Sequence, residues 1–302
     1  MNQNITPQKS HPTPLRAWIE AMRLHTLPAS AAGVLFGTGL AMGADHFRWL
    51  PALLCLLFAA VAQIGCNFAN EYYDFVAAID RPGRAGFRRG VAEGDIKPEA
   101  MRRATSIAFI TAALLGCSLI IWGGWWLVIV GIFVLLGALS YSAGPFPLSR
   151  NAMGEIAVVV FFGLIPVSFT FYLQAGYFTY KDFFGGLAIG LMIANILIVN
   201  NYRDCDDDAA AGKLTTATVF GRKAVSRAYL VNGCLGVLLT ASLWLEAGWW
   251  TLVIPALYLV AHVWLWLYLR SHEGAALNKA LSFTAIILAL FALGFLLVNI
   301  HC

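Results

Sequence analysis

The sequence predicts an all-α polytopic membrane protein with nine transmembrane helices, built as two four-helix repeats plus one helix. Three observations carry this prediction. The 302 residues have a mean hydropathy of +0.73 and only 12% are charged, about half the charged share of an ordinary soluble domain. Apolar runs of about 20 residues recur, which is the length of helix that spans a hydrocarbon core. These runs are continuously apolar rather than alternating, which favours helices over a barrel.

The elements follow in chain order. Residues 1–20 are polar, carry Pro7, Pro12 and Pro14, and hold no apolar core, so no cleavable signal peptide is read there. Residues 1–26 form a cytoplasmic N-terminal tail, disordered or surface-lying, and 27–302 form a single transmembrane domain. The spans fall near 27–44, 50–69, 105–122, 125–143, 154–174, 183–201, 228–245, 249–269 and 278–299. The apolar run from Thr105 to Ala143 is too long for one helix, and "WGGWW" divides it with glycines and interfacial tryptophans. Of the six cysteines none form a CxxC pair. Cys55, Cys66, Cys117 and Cys234 lie in apolar runs as packing residues, Cys205 lies in a polar motif and Cys302 is the last residue, so neither a disulfide nor a zinc site is expected.

Lys and Arg orient the spans. With nine crossings, 18 of the 20 fall on the side of the N-terminal tail, and the other two are Arg48 and Lys181. That side is cytoplasmic by the positive-inside rule, and the C terminus lies outside. Six of the 16 acidic residues follow the second span and four follow the sixth, all on the basic side.

Those acidic residues form two matching patterns. The first is "NEYYDFVAAID", with Asn70, Asp74 and Asp80. The second is "NNYRDCDDDAAAGK", with Asn200, Asp204 and Asp208. Both contain Asn-x-x-x-Asp after an even-numbered span, and positions 70 and 200, like 74 and 204, are 130 apart. A basic residue follows a glycine beyond each, in Gly83-Arg84 and Gly212-Lys213. This repetition suggests a duplicated four-helix unit. Residues at i and i+4 share a helix face, so Asn70 joins Asp74, and Asn200 joins Asp204 and Asp208. Asp80 falls on another face, and the following "RPG" turns the chain there.

Carboxylates gathered this closely repel one another unless a cation intervenes. Mg²⁺ takes oxygen ligands and is commonly held by one or two carboxylates plus substrate phosphates. The metal candidates are Asn70, Asp74, Asp80, Asn200, Asp204 and Asp208, with Asp74, Asp204 and Asp208 the catalytic ones. Two or three Mg²⁺ ions would clamp a diphosphate between the motifs. Arg88, Arg89 and Lys213 are the diphosphate-binding candidates. Asp95, Asp206 and Asp207 read as capping or solvated carboxylates. Arg102 and Arg103 read as orientation or lipid contacts, and His262 and Trp264 as core packing.

Taken together, the motifs resemble those of the UbiA superfamily of membrane prenyltransferases, over nearly the whole chain. "RLHTLPAS" is similar to the start of that family's first helix, "YSAGPFPLSRNAMGE" to its link between halves, and the two acidic stretches to its two aspartate motifs. Five residues between Asp74 and Asp80, and Asn-Asn-x-Arg-Asp followed by Gly-Lys, resemble the menaquinone branch, which prenylates 1,4-dihydroxy-2-naphthoate. Glu71 departs from the pattern, which commonly has Asp or a small polar residue there. The resemblance implies Mg²⁺-dependent transfer of a polyprenyl group from a polyprenyl diphosphate to the naphthoate, with loss of CO₂, giving demethylmenaquinone. Tyr72, Tyr73 and Tyr141 are candidates to shield an allylic cation, and Arg23 to recognise the acceptor or the diphosphate. The expected partners are the diphosphate, the aromatic acceptor and lipid of a bacterial-type plasma or inner membrane, with no nucleic acid and no obligate protein partner. Another aromatic acceptor, 4-hydroxybenzoate or homogentisate, is the alternative within the family. A cation-coupled transporter is the alternative outside it, but transporter sites usually lie near the midplane.

Overall fold

A computed structural model of the chain describes residues 12–80, 82 and 86–300, and within them the structure is helical. The expected Gly83-Arg84 pair and residues 1–11 of the tail lie outside the described residues. The remaining tail is not disordered: Pro14–Met22 forms helix α1, with Pro14 in its first turn. Ala17 and Ala21 are buried there, and Trp18 meets Phe68 edge to face at 5.6 Å. A short helical turn then leads into α2, Leu27–Gly43.

Helix α3, Trp49–Val76, has 28 residues, about 42 Å of helix against a hydrocarbon core of about 30 Å. The helix is thus longer than the apolar layer is thick, and its last turns carry the first motif. α4, Pro98–Gly123, packs along α3. Gly124, at φ 82°, breaks the run within "WGGWW" as expected and starts α5, Leu127–Ser142. α6, Gly154–Ala175, loosens into a π-helical stretch at Val159–Leu164. This stretch ends just before Pro166, which has no N–H to offer the ladder. α7, Tyr180–Arg203, begins on a capping box between Thr179 and Asp182, and short α8 spans Cys205–Ala210. α9 is Thr216–Glu246, α10 Trp249–Ser271 and α11 Gly274–Val298.

Among the described residues, eight helices are long and apolar enough to cross a membrane, and Leu127–Ser142 is a shorter apolar helix. The expectation of nine full spans thus meets a difference at α5. Its 16 residues reach only about 24 Å.

α7 is the central helix and packs against α2, α6, α9 and α11. Small residues bring α6 and α7 together. A Cβ on Gly163 would stand 2.3 Å from the Gly190 Cα and 2.5 Å from the Gly186 carbonyl oxygen, so only glycine permits this approach. Aromatic rings close the core between α2, α9 and α11: Phe36 stacks on Phe295 at 4.1 Å, and Trp244 meets Phe295 at 5.1 Å. His262 is buried between Tyr229 and Tyr258, a core position as expected, while Trp264 faces outward. Ile107, Leu114, Ile121, Ile129, Leu238 and Leu257 are exposed, as suits a surface facing lipid.

Candidate active site

The two acidic motifs, 130 residues apart in sequence, meet at one end of the bundle. Asn70 and Asp74 share a face, and the Asn70 amide donates to Asp74 Oδ2 at 3.1 Å. Arg150, on the turn between α5 and α6, donates to Asp74 Oδ1 from Nε at 3.1 Å and from its terminal nitrogen at 2.8 Å. Lys213 Nζ lies 3.9 Å from Asp74 Oδ2 and 3.8 Å from Asp208 Oδ1. One ammonium thus bridges the two motifs.

The second motif keeps its i, i+4 register through the end of α7. The Asp204 N–H donates to the Asn200 carbonyl at 3.0 Å, and the Asp208 N–H to the Asp204 carbonyl at 2.8 Å. Arg203 gathers the motif's side chains. It donates to Asp204 Oδ1 at 2.7 Å, to Asn200 Oδ1 at 2.7 Å and to Asn278 Oδ1, at the start of α11, at 2.7 Å. Neighbouring Cys205 packs against the core, and burial pushes its thiol up from the ordinary range, which leaves it neutral.

Asp80 turns back at the end of α3, where Ala78 takes φ 56°, and pairs with Arg89 at 3.1 Å. Arg88 points elsewhere, with its guanidinium 2.6 Å from Asp95 and 3.8 Å from Glu93. Glu71 accepts from the Val91 N–H at 3.0 Å, which fixes this loop to α3. Phe87 of the same loop stacks on His25 at 4.0 Å and lies under Arg203 at 5.6 Å.

These groups stand at the polar end of a cavity of about 460 Å³. Arg23, Arg89, Arg203, Lys213, Asn70 and Asn200 line that end, while Phe58, Phe109, Phe161, Phe169 and Leu173 line its apolar body. Asp74, Asp80, Asp204 and Asp208 are buried behind this lining. Each has a basic partner within 4 Å. The open surface is therefore cationic, which suits a diphosphate head, and the apolar body suits a hydrocarbon tail.

The structure thus brings together Arg23, Asn70, Asp74, Asn200, Asp204, Asp208 and Lys213, with Arg89 and Asp80 alongside. Arg23 donates to Asn70 Oδ1 at 3.1 Å. Tyr141 lines the cavity. Tyr72 and Tyr73 do not; they meet each other edge to face at 5.0 Å, and Tyr72 packs against the cluster around Phe68. Sequence reasoning did not single out Arg150 or Arg203. The available signals were that Arg150 is the sole basic residue between the fourth and fifth spans, and that Arg203 lies inside the second motif. Glu155 was missed as well; its Oε1 accepts from Asn201 at 2.8 Å and from Thr216 at 2.5 Å.

The donor set fits a hard divalent cation in chemistry, since it consists of carboxylate and amide oxygens. Among the described residues no three His, Cys, Asp or Glu side chains form a closed cage. Paired oxygens completed by substrate phosphates are the usual arrangement for Mg²⁺.

Comparison with known proteins gives a consistent picture. Residues 30–287 match the UbiA prenyltransferase family. The chain is 34% identical to the 1,4-dihydroxy-2-naphthoate octaprenyltransferase of Escherichia coli K12, over 81% of this chain and 83% of that one. It is also 34% identical to the Mycobacterium tuberculosis protein of the same name, over 77% and 79%. Among solved structures, a UbiA homologue from Archaeoglobus fulgidus bound to GPP and Mg²⁺ superposes with a TM-score of 0.70 at 17% identity, over 95% of this chain and all of that one.

Proposed function

The chain belongs to the UbiA prenyltransferase family and is a membrane prenyltransferase, and from that premise we propose its substrates. The reading is transfer of a polyprenyl group from a polyprenyl diphosphate to 1,4-dihydroxy-2-naphthoate, with loss of CO₂, giving demethylmenaquinone and diphosphate. The observation that carries it is the bridge Asp74–Lys213–Asp208 at the cationic end of an otherwise apolar cavity. The names of the relatives from E. coli and M. tuberculosis support the naphthoate.

Asn70, Asp74, Asn200, Asp204 and Asp208, with Asp80, would hold Mg²⁺, which supplies positive charge against the leaving diphosphate. Arg23, Arg89 and Lys213 bind the diphosphate oxygens. Arg150 and Arg203 hold the motif carboxylates in place. Tyr141 presents its ring to the cationic prenyl carbon. The apolar body takes the tail, and the site faces the cytoplasm.

The test is turnover in membranes containing the protein, with a polyprenyl diphosphate, Mg²⁺ and 1,4-dihydroxy-2-naphthoate, beside a parallel assay on 4-hydroxybenzoate. Product from the naphthoate that disappears with EDTA is the expected result. Product from 4-hydroxybenzoate alone would overturn the acceptor, and no product from either would overturn the reaction.

A further inference from the structure

Glu155 is a carboxylate in the cavity that the reaction above leaves unused. It stands near the start of α6, and its Oε1 is held by Asn201 and Thr216. Its Oε2 is buried and, among the described residues, receives no hydrogen bond. Ser149 Oγ, in the lining of the same cavity, is likewise buried without a partner. Buried polar atoms left unpaired are costly and uncommon, and these two, which share the cavity wall with the unpaired Gln63 Oε1, point to a polar ligand.

Their position says which ligand. Asn201 adjoins Asn200 of the second motif, and Ser149 adjoins Arg150, which holds Asp74. A Cβ on Gly154 would stand 3.7 Å from the Tyr141 hydroxyl, so Glu155 follows a residue packed beside the ring facing the prenyl carbon. The subsite therefore borders the diphosphate end, yet its carboxylate is held by an amide and a hydroxyl rather than by an arginine or lysine.

Building on the reaction proposed above, we propose that Glu155 and Ser149 bind the aromatic acceptor. Glu155 Oε2 accepts the hydrogen bond of the acceptor hydroxyl that flanks the attacked carbon and holds its proton during attack. The prenyl C–O bond breaks and its electron pair leaves with the diphosphate. The ring carbon bearing the carboxylate forms the new C–C bond, the O–H pair becomes the C=O π bond, and the proton moves to Glu155. The C–CO₂ bond then breaks, its pair restores the aromatic ring, and Glu155 returns the proton to the oxygen. No net proton is gained or lost, and no oxidant is needed.

The test compares wild type with Glu155→Gln and Glu155→Asp. Glu155→Gln is expected to lower kcat by about 10²–10⁴-fold, the range for a lost general base. Its affinity for prenyl diphosphate with Mg²⁺ should be unchanged, and Glu155→Asp should recover part of the rate. A Glu155→Gln rate within about threefold of wild type, or an equal loss of diphosphate affinity, overturns the assignment. If the variants fail to fold, wild-type kinetics with the methyl ether of that hydroxyl read the same contact, and a rate close to that of the free hydroxyl overturns it. A wild type that prenylates no hydroxylated aromatic acceptor instead overturns the reaction itself.

Discussion

At the scale of single residues, the four motif aspartates are each held by a cation, and the predictions separate their roles. Asp74→Ala and Asp204→Ala should each abolish turnover while the protein still purifies folded; full activity in either would remove the aspartate motifs from the chemistry. Arg150 holds Asp74 through two nitrogens, a geometry that lysine cannot reproduce. Arg150→Lys should therefore lose about tenfold or more in kcat/KM, and a wild-type value would show that the fork does not matter. Lys213→Ala should raise the KM for prenyl diphosphate, whereas Arg88→Ala should leave it within about twofold, because Arg88 spends its charge on Asp95 and Glu93. The motif residues were legible because the 3.6-residue period fixes a shared face from spacing alone. The partition of Arg88 from Arg89 was not, because adjacent residues look alike in sequence and only the fold of the loop sends one to Asp80 and the other to Asp95. Tyr72 and Tyr73 misled for a related reason: an aromatic next to a motif faces the site only if its side of the helix does.

At the scale of elements, two devices bring the site together. The length of α3 sets Asn70 and Asp74 in its last turns, and α7 ends where α8 continues the register. Both rely on α7 seating closely in the bundle, which its glycines allow. Gly163→Ala would place a methyl group inside contact distance of Gly190 and Gly186. It should destabilise the fold by about 1–3 kcal/mol, the usual cost of overpacking. Thermal unfolding in detergent reads this, and an unchanged midpoint would mean that α6 and α7 do not pack this closely. The small-residue composition of these spans was visible in sequence, but which glycine faces which was not, because helix rotation depends on partners far away along the chain. Glu71 teaches a similar lesson. In sequence it is only a departure from a motif, yet in the fold it ties Val91 to α3 and so holds the loop that carries Arg89. Glu71→Ala should therefore raise the KM for prenyl diphosphate indirectly, together with a loss of stability of about 1–3 kcal/mol for the released buried amide.

At the scale of the whole molecule, the sidedness of the chain depends on α5. Eight crossings would leave both termini on one side, and nine would separate them. α5 is the short helix, yet its two ends meet opposite ends of the bundle. Trp126, just before it, bonds Tyr172 and packs on Phe178. At its other end the Ser142 hydroxyl takes the Asn70 amide at 3.4 Å, beside the candidate site. α11 likewise runs from Asn278, bonded to Arg203, to Asn299, whose side chain lies against Gly43 at the far end of α2. The two cations on the sparse side lie at that far end. The Arg48 N–H donates to Gln174, and Lys181 pairs with Glu246 at 2.6 Å. By the positive-inside rule the expected arrangement has the site on the cytoplasmic side and the C terminus outside. A crossing by α5 would need the bilayer to thin or its flanking tryptophans to adapt, at a cost of fractions of a kcal/mol per Å, and it is the arrangement that agrees with these contacts. A reporter active only outside the cytoplasm, fused after Cys302, should therefore be active, and the same reporter fused before Met1 should be silent. Equal signals from both fusions would make α5 re-entrant and the crossings even. That result would strand Arg150 and the α5–α6 turn away from Asp74, against the 2.8 Å contact between them.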